Sequence, residues 1–277
     1  MTRIVQFFQS LARRGLNKFR NAGATSRLEF EGDYLSWAEA SAKAGGYSEA
    51  GILDKCAQSL FKVKNGEAVH ERDSVLFDRI EYSWPLLSGL LRAAIGNKGE
   101  LHVLDFGGSL GSTYFQNRVF LRGIPVCWSI VEQEGFVSRG RELFQDERLR
   151  FFYTMEEAVK NDPRINVCVI SSTLPYLPDP YAFVSQLIKF RFEYIIVDRT
   201  YFIDGDRDRL VIQHVPETIY DAHYPAWFFS EKRLLESFGP EYEILADFDS
   251  YLNAVAYLAN GSGKERGMIF QRKGRND

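Results

Sequence analysis

A glycine-rich turn placed between two acidic residues is the part of this sequence best suited to chemistry. The apolar run Leu101–Phe106 contains Asp105 and leads directly into the turn Gly107–Gly111. A second acid, Glu132, follows the next apolar run about 20 positions after the turn. Glycines allow a sharp turn and a close approach of the backbone to a ligand, and free N–H groups at a helix start favour an anionic group. The pattern therefore predicts a site for a nucleotide-like ligand.

The spacing of the turn discriminates between classes of nucleotide cofactor. A dinucleotide fingerprint is G-x-G-x-x-G, whereas this turn has the spacing G-G-x-x-G directly behind Asp105. A carboxylate beside the turn repels a pyrophosphate but attracts an ammonium group, and Glu132 can accept hydrogen bonds from both hydroxyls of a ribose. S-adenosylmethionine carries an ammonium, a carboxylate, a ribose and an adenine without any phosphate, so we expect it as the cofactor. Two alternatives stay open: an NAD-dependent sugar-modifying oxidoreductase and a catalytically silent nucleoside-binding module.

Strand-like and helical patterns alternate from residue 100 onward. The strand-like runs before the tail are Leu101–Phe106, Pro125–Val131, Leu149–Tyr153, Asn166–Ser171 and Phe192–Asp198. Such alternation is typical of βαβ units. In the tail, the strand candidates Tyr242–Asp247 and Arg266–Arg272 follow one another without a helical crossover, which favours an antiparallel pair at one edge. We predict an α/β fold with a doubly wound, Rossmann-like sheet.

The turn, the second acid and the tail without a crossover resemble class I S-adenosylmethionine-dependent methyltransferases. Further stretches resemble, more narrowly, a largely uncharacterised bacterial family of methyltransferase-like proteins often associated with surface-polysaccharide genes; they are Phe30-Glu31-Gly32, Tyr34, Ser36-Trp37, Ala40, Glu71-Arg72-Asp73-Ser74 and Tyr82-Ser83-Trp84. The resemblance implies a seven-stranded sheet with a reversed last strand and the cofactor roles given above. One departure is Ser109, which stands where the usual D-x-G-x-G-x-G turn has its middle glycine.

The cofactor site is expected at the carboxyl ends of the strands and at the start of the first helix after the turn. The residues predicted to bind the cofactor are Asp105, Gly107, Gly108, Gly111, Ser112, Thr113, Glu132, Gln133, Tyr153, Thr154, Ser171 and Ser172. No metal is expected.

The methyl acceptor is expected beside the segment that follows the fifth strand. Transfer from a sulfonium is an in-line displacement that needs alignment and, for a hydroxyl acceptor, a base. We predict His223 as that base and Asp198 as the second candidate, although a histidine bonded to backbone fits the sequence equally well. The predicted acceptor contacts are Arg199, Tyr201, Tyr224 and Trp227. The expected acceptor is a saccharide or a related small metabolite.

Three segments follow from these patterns. Residues 1–27 are basic, because positions 1–20 hold five basic residues and no acid. We favour a helix that packs on the domain or simply frays there, and an amphipathic helix on an anionic membrane surface is the alternative. Residues 28–99 have mostly helical patterns and form either a cap over the active site or an extension with a solvated start at Glu71–Asp73. Residues 100–277 form the Rossmann-like domain.

The composition limits the partners and the compartment. The 277 residues carry a formal net charge of -3, which argues against broad capture of nucleic acid. The three cysteines lie far apart in sequence, which fits reduced thiols and a cytoplasmic location. No apolar run approaches the roughly 20 residues that a membrane-spanning helix needs. The oligomeric state does not follow from the sequence.

Overall fold

The computed structural model describes residues 28–274 except positions 45, 48, 217, 218, 220 and 221. The basic segment 1–27, for which we favour a helix that packs on the domain over one that lies on a membrane surface, lies outside the described residues. Within the described part of the chain, no helix is both long enough and apolar enough to cross a membrane.

Strands and short helices alternate along the described chain. The strands are β1 (Glu29–Tyr34), β2 (Gly46–Tyr47), β3 (His70–Arg72), β4 (Val75–Phe77), β5 (Leu101–Phe106), β6 (Val126–Val131), β7 (Leu149–Phe152), β8 (Val167–Ser171), β9 (Tyr194–Ile203), β10 (Arg209–Val215), β11 (Ala222–Ser230), β12 (Tyr242–Asp249), β13 (Val255–Leu258) and β14 (Gly261–Arg272). The α-helices are α1 (Trp37–Lys43), α2 (Glu49–Lys64), α3 (Trp84–Gly96), α4 (Ser112–Asn117), α5 (Glu134–Leu143), α6 (Met155–Asn161), α7 (Pro180–Leu187) and α8 (Glu231–Ser237), with 3-10 turns at Leu174–Tyr176 and Ile188–Phe190.

The central sheet has the strand order β7-β6-β5-β8-β9-β14-β12. Strands β5 to β9 are parallel to one another, whereas β14 runs antiparallel to β9, β12 and the short strand β13. This arrangement confirms the predicted doubly wound, Rossmann-like sheet of seven strands with a reversed last strand. The parallel strands end at one edge, so their carboxyl ends bring the residues that follow them together.

Helices cover both faces of this sheet, and side chains alternate between the two cores. Along β5, Val103 contributes to the core beneath α3 and α5, and Leu104 contributes to the opposite core beneath α6 and α7. Both side chains are fully buried. Strands that are covered on both faces have continuous apolar sequences, and these strands were therefore predictable from the sequence.

The segment 28–99 is less helical than predicted, because four of its stretches form strands. Strand β1 pairs antiparallel with β10, and β2 pairs antiparallel with β11, so these strands have the order β1-β10-β11-β2. This second sheet is continuous with the central sheet, because the end of β11 also pairs parallel with β9. Strand β1 is anchored by Phe30, whose ring lies edge-on to Tyr201 and Phe228 at centroid distances of 5.4 and 5.1 Å. The amino-terminal segment and the 209–230 hairpin therefore form one layer over the carboxyl edge of the central sheet.

Helix α5 follows directly after Glu132 and packs closely on β7. A Cβ atom at Gly140 would lie 2.5 Å from the ring of Phe151, which no real Cβ contact allows. Gly140 in this helix is therefore required by packing, although glycine is a poor helix former.

We expect Gly140→Ala to lower the free energy of unfolding by about 1–3 kcal/mol, because the added methyl group overpacks the core. Gly135→Ala is the control in the same helix, since its Cβ would meet only the flexible end of Leu53 at 3.3 Å. Urea unfolding followed by circular dichroism measures both changes. Equal midpoints for the two variants would contradict this account of the helix packing.

Candidate active site

The glycine turn leaves β5 in a conformation that most side chains avoid. Gly107 and Gly111 have φ angles of 71° and 108°, and Ser109 between them has a φ of 53°. The left-handed conformation of Ser109 costs a serine about 1–2 kcal/mol. The same conformation directs the Ser109 N–H to the Glu132 carboxylate at 3.2 Å. Ser109 therefore occupies a position that favours glycine and still makes a contact with the second acid.

Asp105 lies under the turn and is only 1% exposed. The indole N–H of Trp128 donates to its carboxylate at 3.0 Å. A Cβ atom at Gly108 would lie 2.6 Å from this carboxylate, so glycine is needed there for the turn to pack on the acid. Burial raises the pKa of Asp105 to about 7, with a smaller contribution from the negative charge of Glu132. The Asp105 carboxyl therefore lies beneath the glycine turn and does not line any of the cavities described below.

Glu132 lies beside the turn at the end of β6. Its two carboxylate oxygens accept hydrogen bonds from the backbone N–H groups of Ser109 and Gln133, at 3.2 and 2.8 Å. Burial raises the pKa of Glu132, and the two backbone bonds oppose that rise. The two bonds fix the orientation of the carboxylate and leave lone pairs for further donors.

A cavity of about 420 Å³ opens at the carboxyl ends of β5, β6, β7 and β8. It is lined by Phe106, Gly107, Val131, Glu132, Gln133, Tyr153, Ser172, Thr173, Tyr176 and Leu177. Five predicted cofactor residues thus lie together in one cavity of the size usual for small ligands. Thr154 instead caps α6, where its hydroxyl accepts from the Glu157 N–H at 3.2 Å.

A second cavity of about 470 Å³ adjoins the first, because both are lined by Glu132, Gln133 and Tyr176. The further wall residues come from the amino-terminal segment, from α5 and from β11: Trp37, Ser41, Ala44, Ile52, Phe136, His223, Tyr224 and Pro225. Of the predicted acceptor residues, Tyr224 therefore lines this cavity together with the predicted base His223. Aromatic rings form much of its wall.

The predicted base His223 pairs with a second histidine. Its ring lies edge-on to the ring of His214 at a centroid distance of 4.5 Å. On the far side, the Nε2 atom of His214 lies 3.4 Å from a carboxylate oxygen of Glu31. The predicted contact Trp227 stacks on Trp37 at 6.4 Å, and its indole N–H donates to the Leu177 carbonyl at 3.1 Å. Trp227 thus supports Trp37 in the wall of the second cavity.

The other candidate base, Asp198, lies at a different place, beside a small cavity of about 30 Å³. This cavity is also lined by Ser112, Thr113, Ser171 and Arg199 among the predicted residues. Asp198 is 1% exposed, and burial raises its pKa to about 6. Its carboxylate accepts from the Arg199 N–H at 2.9 Å. The structure therefore separates the two candidate bases.

Tyr201 does not reach any of these cavities. Its ring stacks on Phe228 at 4.9 Å in a buried aromatic cluster that also receives Phe30. An acceptor contact was predicted for Tyr201 because it follows the fifth strand. Strand β9 continues beyond the predicted strand end, however, so Tyr201 lies within the strand and faces the core.

Glu71 lies at the small cavity and bonds to Ser112 behind the turn, whereas its sequence context indicated a helix start. It lies in β3, is 3% exposed, and accepts from the Ser112 hydroxyl and the Ser74 N–H, each at 2.7 Å. Burial raises its pKa to about 7. The β3–β4 hairpin escaped prediction because its turn residues Asp73 and Ser74 have φ angles of 51° and 67° without a glycine signal.

Comparisons with known proteins found similarity in solved structures. No family model matches this chain, and no curated protein matches it. An S-adenosylmethionine-dependent methyltransferase from Clostridium acetobutylicum ATCC 824 is 11% identical, with a TM-score of 0.48 over 80% of this chain and 99% of that one. A 1,6-didemethyltoxoflavin-N1-methyltransferase from Burkholderia thailandensis, with bound 1,6-didemethyltoxoflavin and S-adenosylhomocysteine, is 12% identical, with a TM-score of 0.44 over 91% of this chain and 97% of that one. The N-terminal domain of EvdMO1, crystallised in the presence of S-adenosylhomocysteine and D-fucose, is 13% identical, with a TM-score of 0.47 over 76% of this chain and 94% of that one.

Proposed function

We propose that this chain transfers the methyl group of S-adenosylmethionine to a hydroxyl group of a saccharide or a related small metabolite. The observation that carries the proposal is a set of three carboxyl groups around one glycine turn. Asp105 lies under the turn, Glu132 accepts from the Ser109 N–H, and Glu71 accepts from the Ser112 hydroxyl. Three acids in these positions disfavour a pyrophosphate and favour a cationic ligand.

The residues present fit each part of S-adenosylmethionine. Glu132, with its orientation fixed by two backbone bonds, is placed to accept from the ribose hydroxyls, and Tyr153 borders the part of the same cavity left for the adenine. Asp105 and Glu71 supply negative charge for the ammonium. The buried Nε atom of Arg199 has no hydrogen-bond partner among the described residues and lines the small cavity beside Ser112, which is separate from the cofactor cavity; a cofactor carboxylate would reach it only if the two cavities joined on binding. When bound, the cofactor supplies a methyl group on a positively charged sulfur.

The adjoining aromatic cavity is the proposed acceptor site. It shares Glu132 with the cofactor cavity, so an acceptor there would lie next to the part of the cofactor that Glu132 binds. The rings of Trp37, Tyr176 and Tyr224 offer flat apolar surfaces with polar edges, which suit the faces of a sugar ring. His223 in the same wall is the proposed base, because a neutral imidazole accepts a proton near neutral pH. Asp198 faces the small cavity instead, which makes it the weaker candidate.

The function is tested by titrating the full chain with S-adenosylhomocysteine and with NAD in a calorimeter, followed by assays with labelled S-adenosylmethionine. Labelled methyl transfer is measured on fractionated surface glycans and on sugar nucleotides. Binding of S-adenosylhomocysteine together with label in a glycan fraction supports the proposal. Binding of NAD alone would contradict the proposal and favour the oxidoreductase, and binding of S-adenosylhomocysteine without turnover on any fraction would favour the silent module.

We expect Glu132→Ala to weaken S-adenosylhomocysteine binding at least tenfold, about 1.4 kcal/mol, because the ribose hydroxyls lose their shared acceptor. The matched control is Glu134→Ala, which removes an exposed acid two positions further along the chain. Calorimetric titration of both variants gives the two affinities. An unchanged affinity in Glu132→Ala would remove Glu132 from the ribose role.

Affinity for S-adenosylmethionine should rise several-fold between about pH 5.5 and about pH 7.5, since a carboxyl with a pKa near 7 gains its charge in this range. Asp105 and Glu71 both have pKa values raised to about 7 by burial, and only their ionised forms attract the cationic ligand. Asp105→Asn keeps an acceptor for the Trp128 indole and should flatten the profile in part. An affinity that is constant or falls with rising pH would contradict this electrostatic account.

Once an acceptor is found, His223→Asn should lower kcat by about 10²- to 10⁴-fold and leave S-adenosylhomocysteine affinity within a factor of two. Asp198→Asn is the competing variant and should have the smaller effect on kcat, because Asp198 does not line the acceptor cavity. Steady-state kinetics as a function of pH compares the two. The reverse order of the two effects would transfer the role of base to Asp198.

A further inference from the structure

A second cluster of reactive side chains lies at the opposite, amino-terminal edge of the central sheet. His102 and Cys127 are the second residues of the adjacent parallel strands β5 and β6, and they are direct partners in the register between these strands. Asp162 caps the end of α6 and completes the cluster from a third element. His102 and Asp162 are buried, and Cys127 is half-buried. None of these three residues lines the cofactor cavity, the adjoining aromatic cavity or the small cavity beside Asp198.

The three side chains converge on one point. One ligand atom from each residue, an imidazole nitrogen, a thiol sulfur and a carboxylate oxygen, lies within 4.8 Å of the other two. The Nδ1 atom of His102 lies 2.5 Å from a carboxylate oxygen of Asp162. A carboxylate oxygen of Glu100 lies 3.2 Å from the other ring nitrogen of His102. The imidazole is therefore held between two acids.

We propose that His102, Cys127 and Asp162 bind one Zn²⁺ ion. A thiolate, an imidazole and a carboxylate form a mixed donor set that suits zinc, whereas Ca²⁺ and Mg²⁺ take oxygen ligands. Three protein ligands leave a fourth position, which opens to a cavity of about 320 Å³ at this edge. The thiolate and the carboxylate together balance the two positive charges of the ion.

The surroundings of His102 support this assignment. A histidine that ligates a metal almost always donates its other ring N–H to a carboxylate, a carbonyl or a water molecule, which fixes the ring and strengthens the bond. Glu100 stands in that position, and Arg164 bonds to Glu100 at 3.1 Å and to Asp162 at 3.4 Å. Arg164 thereby holds both acids in place without contacting His102.

Zinc binding requires a small movement of Asp162. Ligand atoms on a tetrahedral zinc ion are separated by roughly 3.3–3.8 Å, as follows from bond lengths of about 2.0–2.3 Å. The present separation of 2.5 Å between His102 and Asp162 must therefore widen by about 1 Å. The competing interpretation is a metal-free hydrogen-bond network in which Asp162 accepts from both His102 and Cys127. The zinc site predicts binding of one metal ion per chain, whereas the hydrogen-bond network predicts none.

The experiment uses the full chain after treatment with a chelator and dialysis. Titration with Co²⁺ should give one equivalent of binding, with a thiolate-to-cobalt charge-transfer band and tetrahedral ligand-field bands that Zn²⁺ then abolishes. Cys127→Ser should remove the charge-transfer band and weaken Zn²⁺ binding at least tenfold. Cys56→Ser is the matched control, because Cys56 is also half-buried but does not belong to the cluster, and it should behave as the unmodified chain.

A second measurement on the unmodified chain avoids any dependence on the folding of a variant. Zn²⁺ should protect Cys127, and not Cys56, from alkylation when the two thiols are mapped by mass spectrometry.

Glu100→Gln should reduce Zn²⁺ affinity roughly 10- to 100-fold while the cobalt charge-transfer band is retained, since Glu100 acts only through His102. Absence of a charge-transfer band, or equal alkylation of Cys127 with and without Zn²⁺, would overturn the proposal and leave the metal-free network.

Discussion

Burial of negative charge around the glycine turn is the constraint on which the rest of the site depends. Removing a carboxylate from water costs several kcal/mol unless its charge is compensated, and otherwise the group shifts its pKa and takes up a proton. The direct donors to Asp105, Glu132 and Glu71 are neutral: an indole N–H, backbone N–H groups and a serine hydroxyl. These donors satisfy the oxygens geometrically but carry no charge; the nearby guanidinium of Arg199 offsets part of the charge of Glu71, whereas no cation offsets that of Asp105 or Glu132 among the described residues. A cationic ligand at the turn would supply the missing compensation, so the electrostatics of the fold and of the proposed function depend on each other.

Backbone strain is concentrated at the same edge of the sheet. Several residues other than glycine have positive φ angles around the turn and the small cavity, namely Asp73, Ser74, Ser109, Ser172 and Arg199. Such conformations cost of order 1–3 kcal/mol each and persist only where the surrounding structure enforces them. At Ser109, Ser172 and Arg199 the parallel strands enforce them, because each strand enters the edge fixed by bonds to its neighbours and by a fully buried core; Asp73 and Ser74 form the turn of the antiparallel β3–β4 hairpin. The strain allows the N–H of Ser109 to point at Glu132 and that of Ser74 to point at Glu71.

The sequence predicted the parts of the molecule that arise from local pattern and failed where distant segments meet. The buried parallel strands, Asp105 and Glu132 were predictable, because apolar runs ending in polar residues mark strands whose ends share one edge. The pairing of β1 with β10 was not predictable from the sequence. It joins Phe30 to Gln213 across most of the chain, and a strand of six residues leaves no periodic signal. The cavity residues Trp37 and Tyr176 were missed for the same reason. The cluster of His102, Cys127 and Asp162 shows no motif, because strand register and a helix end bring its members together.

The two adjoining cavities differ in how the fold constructs them, and this difference bears on specificity. The cofactor cavity is formed by the ends of parallel strands in a rigid sheet, so its residues are fixed by the core. The acceptor cavity lies between that edge and the second sheet, where β11 pairs with β2 at Ala222 and His223 and then joins β9 at Phe229 and Ser230. Because one strand carries His223 in the outer layer and continues into the central sheet, the proposed base keeps a fixed relation to the cofactor cavity. Further walls come from α1, α2, α5 and the 3-10 turn at Tyr176, and the side chains of α1 could change without disturbing the central sheet. Acceptor choice in this architecture is therefore expected to reside in the outer layer, and cofactor choice in the carboxylates of the inner one.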